Sequence, residues 1–150
     1  MDFLQLPKRT EGIRNYGLTS VVDFGTPIGE LQQILEDYHH IIDIAKLGIG
    51  SAYVTPNLKK KIKLYQDYGI RPYCGGTLFE KCYQQNKIDD YVTWLKDLQI
   101  EWIEVSNGTF DIPLHIRLQI ISSLKNDFKV IAEVGSKDSS KEMPVSEWAK

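Results

Sequence analysis

The sequence predicts an α/β protein of the (β/α)8 TIM-barrel type, with about the first five strand-and-helix units present. Three observations lead there. Short apolar or β-branched runs alternate with amphipathic stretches along the chain. The units recur at a nearly constant length, because Asp23, Lys46, Gly76, Val105 and Val134 are separated by steps of 23, 30, 29 and 29 residues, enough for one strand, one helix and two short loops. Each run also closes on polar or glycine residues, as expected of a barrel whose site is assembled from the carboxyl ends of its strands.

SVVDFG, residues 20–25, is the first strand, and Leu31, Ile34, Leu35 and Tyr38 then mark one face of a helix. IDIAKLGIG, 42–50, is the second strand. Thr55 and Pro56 offer an N-cap and a first-turn proline to a helix marked by Leu58, Ile62 and Tyr65, which Gly69 can end in the left-handed conformation. RPYCGG, 71–76, is the third strand, followed at once by a helix-forming Leu-Phe-Glu-Lys and then by a helical face of Ile88, Tyr91, Leu95 and Leu98. EWIEVSNG, 101–108, is the fourth. Asp111 and Pro113 open a helix marked by Leu114, Leu118, Ile121 and Leu124, and KVIAEVGSK, 129–137, is the fifth strand. The pattern therefore gives five strands and four full helices.

Strict alternation requires a parallel sheet with right-handed crossovers, either open and doubly wound or closed as a barrel. The first strand-to-helix turn, Phe24-Gly25-Thr26-Pro27, lacks the glycine-rich fingerprint of a nucleotide-binding open sheet. Eight units of this length need roughly 230 residues, near the usual barrel size. Residues 1–150 are accordingly expected to be a single domain, the N-terminal part of a barrel. Otherwise five units must hide an open parallel edge against another chain.

Composition narrows the function classes. A formal charge of −2 and a pI near 5.9 give no electrostatic ground for a nucleic-acid partner. No run approaches the 18 or so apolar residues of a membrane span, so no membrane partner is expected and the location is expected to be cytoplasmic. Cys74 and Cys82 match neither zinc nor redox spacing and are read as reduced thiols. His39, His40 and His115 are read as packed or solvated side chains, not ligands.

Side chains leaving neighbouring parallel strands converge on one mouth. Asp23, Lys46, Glu80, Glu104, Ser106, Asn107, Glu133 and Lys137 all fall at or just beyond strand ends. Several carboxylates in a partly dry cavity need cations, and oxygen donors without Cys or His point to magnesium. Asp23, Glu80 and Glu104 are the expected magnesium ligands; the alternative is that such acids pair with lysines or cap the next helix. Lys46, an ammonium in an otherwise apolar strand, is expected to face acids or an anionic substrate. Gly75, Gly76 and Thr77 either let backbone amides and a hydroxyl approach a ligand or form a tight turn of positive φ.

IDIAKLGIGSA, YCGGTLFE, IEVSNG and AEVGSK, in this order between about Leu18 and Lys137, resemble the phosphosulfolactate synthase family. The resemblance implies a (β/α)8 barrel that adds sulfite to phosphoenolpyruvate with magnesium, giving phosphosulfolactate for sulfolactate or coenzyme M biosynthesis. It implies Lys137 as proton donor, with Glu133 beside it. Lys46 would bind the substrate carboxylate or phosphate, while Thr77, Ser106 and Asn107 orient it. Phe24 stands where a lysine is expected in archaeal members, and Cys74 where a proline commonly precedes Gly-Gly-Thr, which leaves substrate choice open. Two further readings stand beside this one: a non-catalytic relative working through protein contacts, similar to stress-associated plant proteins, and a barrel enzyme on another phosphorylated enol acid. A homo-oligomer is also left open.

Overall fold

The computed structural model describes residues 12–135 together with 3–5, 7, 8, 10, 138, 140 and 146. Its elements run β1 (Ser20–Asp23), α1 (Ile28–Tyr38), a 3-10 turn (His39–Ile41), β2 (Ile44–Leu47), α2 (Ser51–Val54), α3 (Leu58–Asp67), β3 (Arg71–Cys74), α4 (Gly76–Gln84), α5 (Ile88–Asp97), β4 (Trp102–Val105), α6 (Leu114–Leu124) and β5 (Lys129–Ala132). All five expected strands form, and each is shorter than the run that announced it. None of the helices is long and apolar enough to cross a membrane among the described residues.

The five strands form one sheet in the order β1-β2-β3-β4-β5, each pair parallel. A doubly wound sheet reverses its order at a switch point; strictly sequential order is that of part of a (β/α)8 barrel. Among the described residues β1 and β5 each pair on one side only.

Register divides the side chains between two faces. Val22, Lys46 and Tyr73 are aligned, as are Tyr73 and Trp102, so these four project from the same face. The opposite face carries Asp23, Ala45, Leu47, Cys74, Ile103 and Val105, all buried. These strand residues pack with Leu31 and Leu35 of α1, Ile62 and Tyr65 of α3, Tyr91 and Leu95 of α5, and Leu124 of α6 in the apolar core. Arg14 and Asp43 tie the incoming segment to the amino end of β2 through Arg14 Nε to Asp43 Oδ1 (3.0 Å), with Thr19 N donating to Asp43 Oδ2 (2.7 Å).

Two helices depart from the expected count of four. α2 has four residues, too few to display a helical period. α4 leaves β3 almost without a loop and buries Glu80 among Gly76, Leu78 and Phe79, and a buried carboxylate breaks the apolar pattern by which helices are recognised. Thr55 and Pro56 do not start α3. Its N-cap is Asn57 in the left-handed region (φ 56°), and the hydroxyl of Thr55, which follows α2, instead bonds back to Ser51 O at the start of that helix. Pro113 occupies the cap position of α6, not its first turn, and no side chain caps it. Gly69 does end α3 with φ +74°. Ile34, Tyr38 and Leu118, expected on buried helix faces, are exposed.

Candidate functional site

Lys46, on the face of β2 that points away from the helices, meets two carboxylates from β4 and from the residue after β5. Its Nζ donates to Glu104 Oε1 at 2.8 Å and lies 4.0 Å from Glu133 Oε1. Glu104 is 2% exposed, whereas the Lys46 and Glu133 side chains are 25% and 38% exposed, so Glu104 is the buried end of the trio, Glu133 the open end, and the Lys46 cation lies partly exposed between them. Burial works against the Lys46 charge. The bond to Glu104 and the charges of Glu104 and Glu133 outweigh it and raise the lysine above its ordinary range, keeping it an ammonium. Burial pushes the Glu104 carboxyl up, against the pull of Lys46 and the Gly76 amide, and Glu133 adds to the rise.

The two glycines at the end of β3 exist for this trio. A Cβ on Gly75 would sit 3.0 Å from Lys46 Cε and 3.2 Å from Leu47 O. One on Gly76 would sit 2.2 Å from Ser106 Oγ and 2.6 Å from Glu104 Oε1. The Gly76 amide donates to Glu104 Oε1 at 2.8 Å, so it serves a neighbouring side chain where a ligand was expected. Neither glycine has positive φ, which removes the tight-turn explanation. Thr77 is half-buried in the first turn of α4.

Asp23 does not join the trio. It lies one residue beyond Val22, on the helix-facing side of the sheet, where Lys61 Nζ reaches Oδ1 at 3.1 Å and Oδ2 at 2.9 Å. Tyr65 donates to Oδ2 at 3.0 Å, and the amides of Gly25 and Thr26 donate to Oδ1, each at 2.7 Å. Burial alone would raise this carboxyl; the Lys61 bond and the two amides reverse that and lower it. Asp23 is thus an anchor for the β1–α1 loop.

Glu80 is spent in a similar way. Its Oε1 accepts from the Ser106 hydroxyl and from Gly108 N (3.0 Å), and its Oε2 accepts from Thr109 N and Phe110 N, each at 2.7 Å. Ser106 is fully buried, so its hydroxyl faces Glu80 and not an open cavity. Asn107 lies half-buried beside it, its Oδ1 accepting from Arg117 Nη1 at 3.0 Å. Lys137 lies outside the described residues.

Of the three expected magnesium ligands, two do not fit. Asp23 and Glu80 already accept several protein hydrogen bonds each, and Asp23 projects from the other face of the sheet. Among the described residues no group of three or more His, Cys, Asp and Glu side chains could hold a metal ion. A donor that fits is Glu133, whose Oε2 is buried with no hydrogen-bond partner among the described residues. Magnesium commonly uses only one or two protein carboxylates when substrate oxygens and water complete its shell.

A family model described as (2R)-phospho-3-sulfolactate synthase (ComA) matches residues 7–150. The chain belongs to the phosphosulfolactate synthase family. It is 37% identical over 139 residues to a phosphosulfolactate synthase of Methanocaldococcus jannaschii, covering 89% of this chain and 55% of the relative. It is 33% identical over 135 residues to one of Bacillus subtilis, covering 90% and 54%. A third, from Methanothermobacter thermautotrophicus, is 32% identical over 140 residues, covering 91% and 54%. The chain spans about half the length of the curated relatives it matches.

Three residues of this phosphosulfolactate synthase family chain escaped the sequence reading. Tyr73 shares the Lys46 face and bonds Ser20; burial, with Glu104 and Glu133 nearby, raises its hydroxyl. Alternation by two from Tyr73 to Gly75 was the signal for it. Lys61 and Arg117 are buried cations on helices, at 1% and 6% exposure, and a helical period gives no sign that a charged residue sits on the inner face.

Proposed function

We propose that this chain carries part of the active site of a phosphosulfolactate synthase, adding sulfite to phosphoenolpyruvate in the cytoplasm. The observation that carries the reading is the Lys46 ammonium, fixed by a buried Glu104 and left partly exposed beside Glu133, in a chain of this family. In the addition, the sulfur lone pair of sulfite forms a C–S bond at the terminal methylene. The C=C electron pair moves to the adjacent carbon and into the carboxylate, and a proton then forms a C–H bond at that carbon; no group leaves.

Each residue takes a share suited to its setting. Lys46 binds the substrate carboxylate or phosphate and opposes the charge that builds there. Glu104 aims Lys46 and, through Gly76, ties it to the start of α4. Asn107 and Thr77 contact and orient the substrate. Lys137 delivers the proton. Magnesium carried by Glu133 and the substrate's own oxygens would supply Lewis-acid stabilisation of the enolate-like charge.

The test is loss of the phosphoenolpyruvate enol absorbance with magnesium, with and without sulfite, in the unmodified protein and in Lys137→Ala and Lys46→Met. Sulfite-dependent loss that both substitutions abolish supports the reading. An unchanged rate in either variant removes the role given to that lysine.

A further inference from the structure

The Gly-Gly-Thr stretch is followed by a carboxylate four residues into the helix, and the structure gives that spacing a physical meaning. Gly76 and Glu80 lie one turn apart on the same face of α4. Gly76 leaves room for Ser106, and Glu80 bonds the Ser106 hydroxyl and the amides of Gly108, Thr109 and Phe110. Successive amides turned toward one point form an anion-binding nest. Here the anion is a side chain of the protein, and Glu80 is fully buried within it.

We propose that Glu80 is a positioning residue: its carboxylate fills the nest at the end of β4 and so fixes Asn107 at the mouth of the sheet. This rests on the reading that Asn107 contacts substrate, and it removes Glu80 from the magnesium ligands. A carboxylate offers about four acceptor sites, and four donors occupy them. Asn107 lies between Ser106 and Gly108, both gripped by Glu80, while Arg117 holds its Oδ1 from α6. With the chain clasped on both sides and the carbonyl oxygen held, Asn107 is confined to one orientation.

The donor arrangement predicts an asymmetric response to Glu80→Gln. If the glutamine nitrogen faces Thr109 and Phe110, it opposes two amide donors. If it faces Ser106 and Gly108, it opposes only one, because the serine hydroxyl can turn and accept. The variant therefore keeps its oxygen on Thr109 and Phe110 and sacrifices Gly108.

Amide hydrogen exchange on the unmodified chain, Glu80→Gln and Glu80→Ala reads this directly. In Glu80→Gln, exchange at Gly108 is expected to rise about tenfold, the worth of one buried hydrogen bond, with Thr109 and Phe110 still protected. In Glu80→Ala all three accelerate, and the Asn107 side-chain amide resonance moves toward that of a free asparagine in both variants. Should Glu80→Ala fail to fold, Glu80→Gln alone decides. Unchanged protection at Gly108, or an unmoved Asn107 resonance, would overturn the proposal.

Titration with phosphoenolpyruvate separates this proposal from the functional reading beneath it. Weaker binding in Glu80→Gln, equal to that of Asn107→Ala and no worse when the two are combined, supports positioning through Asn107. Additive losses overturn that route. If the unmodified chain binds no phosphoenolpyruvate, the functional reading falls while the exchange pattern still decides whether Glu80 is the clasp.

Discussion

Lys61 Nζ lies 2.9 Å from Asp23 Oδ2, and both side chains are 2% exposed. This ion pair joins α3 to the end of β1 from behind the sheet. Breaking a buried pair strands a charge, so Lys61→Met is expected to destabilise the chain by about 3–5 kcal/mol in urea unfolding. Adding Asp23→Asn should recover part of that loss. A change below about 1 kcal/mol in the single variant would show that the pair is not held as described.

The same carboxylate shapes the acid limb of stability. Asp23 is lowered in the folded state, despite the opposing effect of burial, by Lys61 and the Gly25 and Thr26 amides. Its contribution is fully present above the unfolded aspartate pKa of about 4 and is lost as pH falls through the lower folded value. Urea midpoints measured from neutral pH downward should drop more steeply for the unmodified chain than for Asp23→Asn. Parallel curves would exclude Asp23 as a source of acid sensitivity.

Two glycines should respond to alanine with opposite signs. Gly76→Ala would drive a methyl group into Ser106 and Glu104 and is expected to cost about 1–3 kcal/mol. Gly29, in the first turn of α1, has nothing within 4 Å of an added Cβ. Gly29→Ala is expected to stabilise by about 0.5 kcal/mol through helix propensity and a less flexible unfolded chain. Thermal unfolding of the two variants gives both signs, and a stabilised Gly76→Ala would contradict the packing around Glu104.

The thiols should be told apart by alkylation. Burial pushes Cys74 up to about 12, and Cys74 is 1% exposed, so near neutral pH it is a shielded thiol. Cys82 is raised too, again by burial, but lies partly open beside Tyr53 and Trp94 in a groove of about 710 Å³. Slow labelling of Cys82, with Cys74 modified only after denaturation, is the expected order in a mass-spectrometric time course. Labelling of Cys74 first would reverse the assignment of inner and outer thiols.

What the sequence revealed follows from what each signal encodes. Period and spacing locate strands and most helices, because burial of an apolar face is repeated along the chain. The pairing of Lys46 with acids was legible because a lysine in the run IDIAKLGIG has to find a counter-charge. Proximity to a strand end, by contrast, does not say which face a side chain takes. One step of pleat sends Asp23 behind the sheet to Lys61, while Val22 stays with Lys46. Glu80 read as a mouth carboxylate because its partners are mostly backbone amides, which leave no mark on composition.

Lys46 as the partly exposed cation of the site is the claim from which the remaining roles extend. Titration calorimetry with phosphoenolpyruvate and magnesium, on the unmodified chain and on Lys46→Met, tests it most directly. Binding by the unmodified chain, weakened about ten- to a hundredfold in Lys46→Met as expected for one charge-assisted hydrogen bond, is the predicted result. Equal affinity in the two proteins would contradict the placement of the substrate at Lys46.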